Sequence, residues 1–170
     1  MTQTQDATRS RTFTWSDPQL NAAEIGLRSG LQTLHAMIDG ELPAPPILHL
    51  IGATGMEAEE GRVTVLMPAA EFHYNPLGTV HGGIIATLLD TAAGCTVHST
   101  LPAGVGYTSL DLSTRFIKPV TTGSGLLRCE GSIVSRGRRV AVAEARLTDE
   151  RGTLVAHATS TCMLFDLPTP

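Results

Sequence analysis

One carboxylate stands alone in an apolar segment of this chain. Asp90 ends the run NPLGTVHGGIIATLLD and is the only Asp, Glu, Lys or Arg between Glu71 and Asp111. Burying a carboxylate costs on the order of several kcal/mol unless hydrogen-bonding partners satisfy it, which suggests a functional reason for its presence. The alternative is structural, with Asp90 capping a neighbouring element or accepting a hydrogen bond from a backbone amide across an interface.

A second group with chemical potential is the backbone at Gly82 and Gly83, where the pattern predicts that a helix begins. Glycine permits a tight turn and the close approach of another group. The free N–H groups and the positive dipole end of a helix start can polarise a carbonyl oxygen. A glycine-rich helix entry without any function is the alternative.

The spacing of these two groups bears on assembly. Gly82 and Asp90 are eight residues apart, which is ~12 Å along a helix at 1.5 Å per residue. One reacting carbonyl cannot touch both in the same chain, whereas two antiparallel helices about a two-fold axis bring Gly82 of one beside Asp90 of the other. On a helical wheel the apolar residues Ile84, Ile85, Leu88, Leu89 and Ala92 share a face toward the sheet. The opposite face, which would be the contact surface, carries Gly83, Thr87, Asp90, Thr91 and Gly94.

The elements around this helix indicate an α+β fold. Four β-like runs follow it, at about 107–118, 125–135, 138–148 and 154–165. Short connections with turn residues make such runs antiparallel neighbours. Residues 47–69 are typical of strand, turn, strand, and residues 18–40 of an extra N-terminal helix. We therefore predict an antiparallel sheet of about five to six strands wrapped around one long central helix.

Composition limits the domain count and the classes of protein. With 170 residues, 42% of them hydrophobic, we predict a flexible tail over 1–16, a single domain over 17–166 and a C-terminal tail over 167–170. The net charge of -4 and the aromatic content of 4% argue against nucleic-acid binding. No run approaches the ~20 apolar residues of a membrane span, and the N-terminus lacks the apolar core of a secretory signal.

The cysteines and histidines form no evident metal site. The cysteines are widely spaced among apolar or small neighbours, which predicts reduced core thiols of a cytoplasmic protein: Cys95, Cys129 and Cys162. Three histidines lack the spacing of a ligand set: His73, His81 and His98. We expect neither a metal nor a cofactor.

The motif N-x-x-G-x-x-H-G-G, followed by six residues and Asp, and then by a strand that ends in F-I-K-P, resembles the hotdog-fold acyl-CoA thioesterases. The closest types are the phenylacetate-pathway enzymes and those similar to human thioesterase superfamily member 2. The resemblance covers about residues 47–165. It implies a hotdog fold and hydrolysis of an aryl- or medium-chain acyl-CoA to free acid and coenzyme A. Because the family is often oligomeric, we expect a homodimer and, further, a homotetramer made of two dimers.

The resemblance also assigns roles to particular residues. The Gly82 N–H would bind the thioester carbonyl and stabilise its developing charge, and Asn75 would support that carbonyl or the water. Asp90 of the partner subunit would act as general base on water, with a role as nucleophile as the alternative. Ser109 matches the position that orients the water. His81 matches the motif histidine, and we expect it to fix the loop rather than to transfer protons.

Coenzyme A carries phosphates, so cations should lie near the mouth of the site. The candidates are Lys118, Arg115, Arg136, Arg138 and Arg139. The three arginines of the SRGRR turn are equally typical of a solvated hairpin tip. The acyl pocket would be lined by Phe72, Tyr74, Leu77 and Leu89, although each also suits a core position.

Two other functions fit the same fold. A hotdog hydratase or dehydratase pairs a histidine with an acid, but His81 and Asp90 are nine residues apart and their motif matches the thioesterases better. An acyl-CoA-binding regulator without hydrolysis would need a DNA-binding module, and the N-terminal segment has too few helices and basic residues for a helix-turn-helix. A purely structural role would leave Asp90 unexplained.

Overall fold

The computed structural model describes residues 8–24 and 26–167. Within them the elements in chain order are α1 (Gln19–Glu24), α2 (Gly30–Ile38), α3 (Pro46–Ile51), β1 (Gly55–Glu59), β2 (Arg62–Pro68), α4 (Gly82–Ser99), β3 (Val105–Phe116), β4 (Leu126–Arg136), β5 (Val140–Thr148) and β6 (Leu154–Asp166). None of these helices is long and apolar enough to cross a membrane.

The six strands form one antiparallel sheet in the order β1-β2-β4-β5-β6-β3. The long helix α4 packs on this sheet and contacts every strand. Strand β5 alternates buried and exposed side chains, and its buried positions face α4 as a row of small residues that ends in one leucine: Ala141, Ala143, Ala145 and Leu147. The predicted α+β architecture with one central helix is confirmed.

Strand β4 lets α4 approach its backbone closely. A Cβ atom added at Gly131 would lie 2.3 Å from the Thr96 hydroxyl oxygen and 2.6 Å from the Ala92 carbonyl oxygen. Both distances are too short for any real side chain, so only glycine fits there. This contact fixes the height of α4 above the sheet.

The N-terminal helix predicted over 18–40 is divided into α1 and α2. Gly26 has a φ of 93°, a left-handed conformation that interrupts a helix. A new helix then begins with a capping box: the Ser29 hydroxyl accepts the Gln32 N–H at 3.3 Å, and the Gln32 side chain accepts the Ser29 N–H at 3.0 Å. Leu27, one of the apolar positions behind the prediction, is 61% exposed. Ile25, another, lies outside the described residues.

The strand predicted at the start of the 47–69 segment is wrong, because these residues form the short helix α3. Proline at its first positions and Gly52, with a left-handed φ of 73°, are typical of a helix start and a helix end. The later part of the first predicted strand is present as β1, and the predicted turn and second strand are present as the β1–β2 connection and β2.

Part of the predicted N-terminal tail lies against α3. Residues 1–7 are outside the described residues, and 8–16 have neither helix nor strand. Arg11 donates hydrogen bonds to the carbonyl oxygens of Leu50 at 2.6 Å and His49 at 2.7 Å. Its guanidinium also lies over the Phe72 ring, 4.0 Å from the centroid. The domain boundaries themselves stay a prediction.

Candidate active site

Asp90 lies half-buried on α4, and Ser109 lies opposite it on β3. The Ser109 hydroxyl donates a hydrogen bond to Asp90 Oδ1 at 3.1 Å. The pairing of β3 with β6 shifts register between Ser109 and Asp111, so a β-bulge follows directly after the serine. Bulges re-aim side chains next to functional sites. The structure thus brings together two of the residues to which the family resemblance assigned roles.

The start of α4 carries a free amide. His81 is the N-cap residue, and its Nδ1 accepts the Gly83 N–H at 2.9 Å. The His81 N–H in turn donates to the His73 carbonyl oxygen at 2.8 Å. The Gly82 N–H has no acceptor within the part of the chain that the structure describes. It is therefore available to an incoming carbonyl oxygen.

Asn75 organises the loop before this helix. Its Oδ1 accepts the N–H groups of Leu77 at 2.9 Å and of Thr79 at 3.3 Å, and its Nδ2 donates to the Thr79 hydroxyl at 3.0 Å. Gly78, at the tip, has a φ of 75°, which favours glycine. The Asn75 side chain therefore sets the shape of the loop that leads to Gly82.

A cleft of about 340 Å³ opens at this helix start. Asn75, Gly82 and Lys118 line it together with Phe116. A Cβ at Gly82 would lie 3.1 Å from Cζ of the Phe116 ring, so glycine leaves room between the ring and the amide. One predicted cation, Lys118, thus lies beside the predicted carbonyl-binding amide.

The candidate site residues fall into two halves within one chain. Gly82 and Asp90 occupy the same helix, where eight residues span ~12 Å. A carbonyl held at the Gly82 N–H therefore does not reach the carboxylate of the same chain.

The cations are divided in the same way. Arg136, Arg138 and Arg139 line a second cleft, of about 760 Å³, that also includes Val105. Lys118 follows the opposite end of β3, whose 12 residues span roughly 37 Å at ~3.4 Å per residue. The four cations in the predicted coenzyme A set are therefore not neighbours in one chain. Arg115 lies on β3 and donates to its own neighbours, Ser113 and Thr114.

The four residues predicted to line the acyl pocket have different environments. Leu77 is 87% exposed and Phe72 is 51% exposed, whereas Leu89 is fully buried in the core. The Tyr74 hydroxyl donates to the Thr122 hydroxyl at 3.1 Å. The four side chains therefore differ in exposure within one chain, and the acyl pocket that they would line stays a prediction.

Sequence reasoning missed an apolar cavity of about 420 Å³ between α2, α3, β1 and α4. It is partly formed by the segment that was interpreted as a strand, and a strand there would have placed these side chains on the sheet. The segment's proline-flanked apolar run, PPILHLI, was the available signal, because proline at its start is typical of a helix.

The outward face of α4 differs in one respect from the helical wheel. Gly94 is buried, and a Cβ there would lie 2.9 Å from the Tyr107 hydroxyl oxygen. Strand β3 of the same chain therefore covers this end of the face. Gly83 is exposed, and Thr87, Asp90 and Thr91 are half-buried.

The three cysteine thiols have raised pKa values. All three are free. Burial raises the pKa of Cys95 to about 12, with a further contribution from the charge of Asp90, and burial also raises the pKa values of Cys129 and Cys162. Near neutral pH these groups stay protonated, and the thiolate is the reactive form.

In residues 8–24 and 26–167, no group of three or more His, Cys, Asp and Glu side chains is placed to hold a metal ion.

Comparison with known proteins places this arrangement in a family. The thioesterase superfamily model matches residues 77–156, a range that includes Asp90 and Gly82. Human acyl-coenzyme A thioesterase 13 is 27% identical over 137 residues, which are 79% of this chain and 96% of that protein.

Two solved structures extend the comparison. The phenylacetic acid degradation-related protein of Ralstonia eutropha JMP134 superposes with a TM-score of 0.69 and 32% identity, over 76% of this chain and 97% of that one. The Streptococcus mutans protein smu.793, solved with acetyl-CoA bound, gives a TM-score of 0.61 and 28% identity, over 69% of this chain and 90% of that one. This protein therefore belongs to the thioesterase superfamily and has its hotdog fold.

Proposed function

We propose that the protein is an acyl-CoA thioesterase that hydrolyses its substrate to a carboxylic acid and coenzyme A. The observation that carries the proposal is Asp90, half-buried and hydrogen-bonded to Ser109 at 3.1 Å, on the helix whose first amide is free. The name of the human relative and the acetyl-CoA bound to the Streptococcus mutans protein support it.

The chemistry needs a base for water and donors for an oxyanion. Asp90 removes a proton from a water molecule as the water oxygen attacks the thioester carbon. The carbonyl oxygen becomes an oxyanion that accepts the Gly82 N–H at the positive end of α4. The tetrahedral intermediate then collapses, the C–S bond breaks, and the coenzyme A sulfur leaves and takes up the proton. Ser109 holds the carboxylate in place, and direct attack by Asp90 on the carbonyl is the alternative route.

A dimer would join the two halves of the site. Strand β3 lies at the edge of the sheet and pairs on one side with β6. Leu110 and Phe116 on this strand are 58% and 57% exposed, which is typical of an interface. Antiparallel pairing of two β3 edges about a two-fold axis sets the two α4 helices side by side, with Gly82 of one chain near Asp90 of the partner subunit.

The same two-fold axis would bring the basic side chains of the two subunits close together. In an antiparallel β3 pair, the end that leads to Lys118 meets the beginning of the partner's strand. The cleft with Arg136, Arg138 and Arg139 of the partner subunit lies at that beginning. Lysine and arginine side chains from two subunits would then surround the phosphates of one coenzyme A.

The test is thiol release from phenylacetyl-, hydroxybenzoyl- and medium-chain acyl-CoA, comparing wild type with Asp90→Asn. Loss of a positioned general base should lower kcat by ~10²–10⁴-fold. Asp39→Asn is the matched control, because Asp39 is exposed at the end of α2 and lines neither of the clefts that hold the candidate catalytic and cationic residues.

Each other outcome has a definite meaning. Full activity of Asp90→Asn would remove Asp90 as the base. Wild-type protein that binds acyl-CoA without releasing thiol would favour the regulator, and hydration of an enoyl-CoA without thiol release would favour the hydratase.

A further inference from the structure

The apolar cavity between the N-terminal helices and α4 has no role in the mechanism above. Its volume is about 420 Å³, within the ~300–1,000 Å³ range of small-molecule sites. Met37 and Ile38 of α2, Ile47 and Leu48 of α3 and Met56 of β1 supply most of its wall. The cavity opens to the surface, since Ile38 and Ile47 in its wall are 41% and 42% exposed, so a ligand can enter it from solvent.

The cavity shares helix α4 with the candidate active site. Thr91 and Cys95 line it, and Thr91 directly follows the proposed base, Asp90. The Thr91 hydroxyl donates to the Thr87 carbonyl oxygen at 2.7 Å, so it adds no free donor to the cavity. Burial and, to a smaller extent, the charge of Asp90 raise the pKa of Cys95.

The lining distinguishes between classes of acyl group. None of the described residues that line this cavity is Phe, Tyr or Trp, so an aromatic ring would find no partner for stacking. Methionine is unbranched and adapts to irregular shapes, and two methionines face two isoleucines and a leucine. A flexible aliphatic chain suits these walls better than a rigid aryl group does.

We propose that this cavity binds the acyl chain of the substrate and that the enzyme is selective for medium-length aliphatic acyl groups over aryl groups. The inference rests on the proposed function for its ligand. In the dimer, a thioester held at Gly82 of one subunit would pass over Asp90 of the partner subunit, and its chain would enter the partner's cavity. The volume corresponds to roughly 14 groups of water size, at ~30 Å³ each, so a chain of about ten carbons fits and leaves space at the open mouth of the cavity.

The experiment measures binding and turnover separately along a chain-length series. Calorimetry with S-alkyl-CoA thioethers from butyl to tetradecyl reports binding without hydrolysis, and thiol release from the matching acyl-CoA esters reports turnover. Affinity should rise about fourfold per added methylene, which corresponds to ~0.8 kcal/mol, and should level off near ten carbons.

Two variants narrow the cavity, one on each side of α3 in the chain. Ala44→Leu and Ala53→Leu each add three carbons at lining positions, and each should lower the decyl-to-butyl affinity ratio by roughly tenfold or more. Ala103→Leu is the control, because Ala103 is exposed in the loop before β3 and outside the cavity. Its ratio should equal that of the wild type. A lower ratio in both variants would show that narrowing of the cavity, and not misfolding of one variant, is the cause. Circular dichroism checks the fold of each variant.

The outcomes separate the cavity from the reaction. An unchanged ratio in both variants, or tighter binding of phenylethyl-CoA than of decyl-CoA, would overturn the inference while thiol release could still support the thioesterase. Chain-length-dependent binding that both variants abolish, without thiol release from any ester, would support the cavity and overturn the proposed function.

Discussion

At the scale of single residues, the isolation of Asp90 in an apolar segment and the glycines at the helix start singled out the two groups that we propose to take part in the reaction, with a structural role as the alternative for each. Both signals are local, since they need only the charge pattern and the helical period. The acyl-pocket residues could not be predicted in this way, because Leu77 and Leu89 are both apolar and differ only in burial. Leu77 is 87% exposed and Leu89 is fully buried. Tertiary packing alone determines which of the two is buried.

The hydrogen bond from Ser109 to Asp90 leads to a prediction at this scale. Replacing Ser109 by alanine removes a donor to a charged group, an interaction that contributes ~1.5 kcal/mol, so Ser109→Ala should lower kcat/KM about tenfold. Ser113→Ala is the control on the same strand, because Ser113 is exposed and does not contact Asp90. Steady-state thiol release compares the two, and equal rates would leave the bond without a catalytic role.

At the scale of elements, the strands after α4 were predicted nearly to the residue, while the N-terminal region was not. Alternation of apolar and polar residues along β4 to β6 reflects one buried face, which a sequence shows directly. The split between α1 and α2 depends on the backbone conformation of Gly26 and on the capping box of Ser29 and Gln32. The apolar residues keep their helical spacing across this break. A prediction from spacing alone therefore treats α1 and α2 as one helix.

The contact of α4 with β4 gives a prediction for stability. In Gly131→Ala the new methyl group would lie within 2.6 Å of both the Thr96 hydroxyl and the Ala92 carbonyl oxygen, so the helix must lift from the sheet. Overpacking of this kind costs roughly 1–3 kcal/mol of the free energy of unfolding. Gly123→Ala is the control, because its nearest neighbour would be the Thr121 hydroxyl at an ordinary 3.5 Å. Urea titrations should separate the variants, and equal midpoints would show that α4 shifts freely.

At the scale of the whole molecule, the order of the strands decides which residues meet. Strand β3 precedes β4 in the chain but pairs with β6, and no local pattern predicts that choice. This strand order leaves β3 at an edge of the sheet. It also separates Lys118 from Arg136, Arg138 and Arg139, which lie at the turn between β4 and β5. The outer side of the sheet carries ion pairs instead, Arg128 with Glu57 at 2.7 Å and Arg62 with Glu130 at 3.1 Å. An interface of two dimers through that part of the sheet would have to accommodate these charges.

A site shared between subunits can be tested by complementation. Asp90→Asn removes the base from one half of the site. Gly82→Pro removes the amide donor from the other half, at a first helical position where proline is tolerated. Each variant alone should lose ~10²-fold or more of the rate. Gly82→Ala keeps the N–H and adds the same Cβ beside Phe116, so it controls for the steric effect.

Co-expression with two different affinity tags isolates the heterodimer of Asp90→Asn and Gly82→Pro. If the two-fold arrangement is correct, one site receives Gly82 from the first chain and Asp90 from the second, both intact, while the other site lacks both groups. The heterodimer should then have about half the wild-type rate, since one of two equivalent sites works. A site confined to one chain would leave every site with a defect, and the heterodimer would be no faster than the mean of the two variant homodimers.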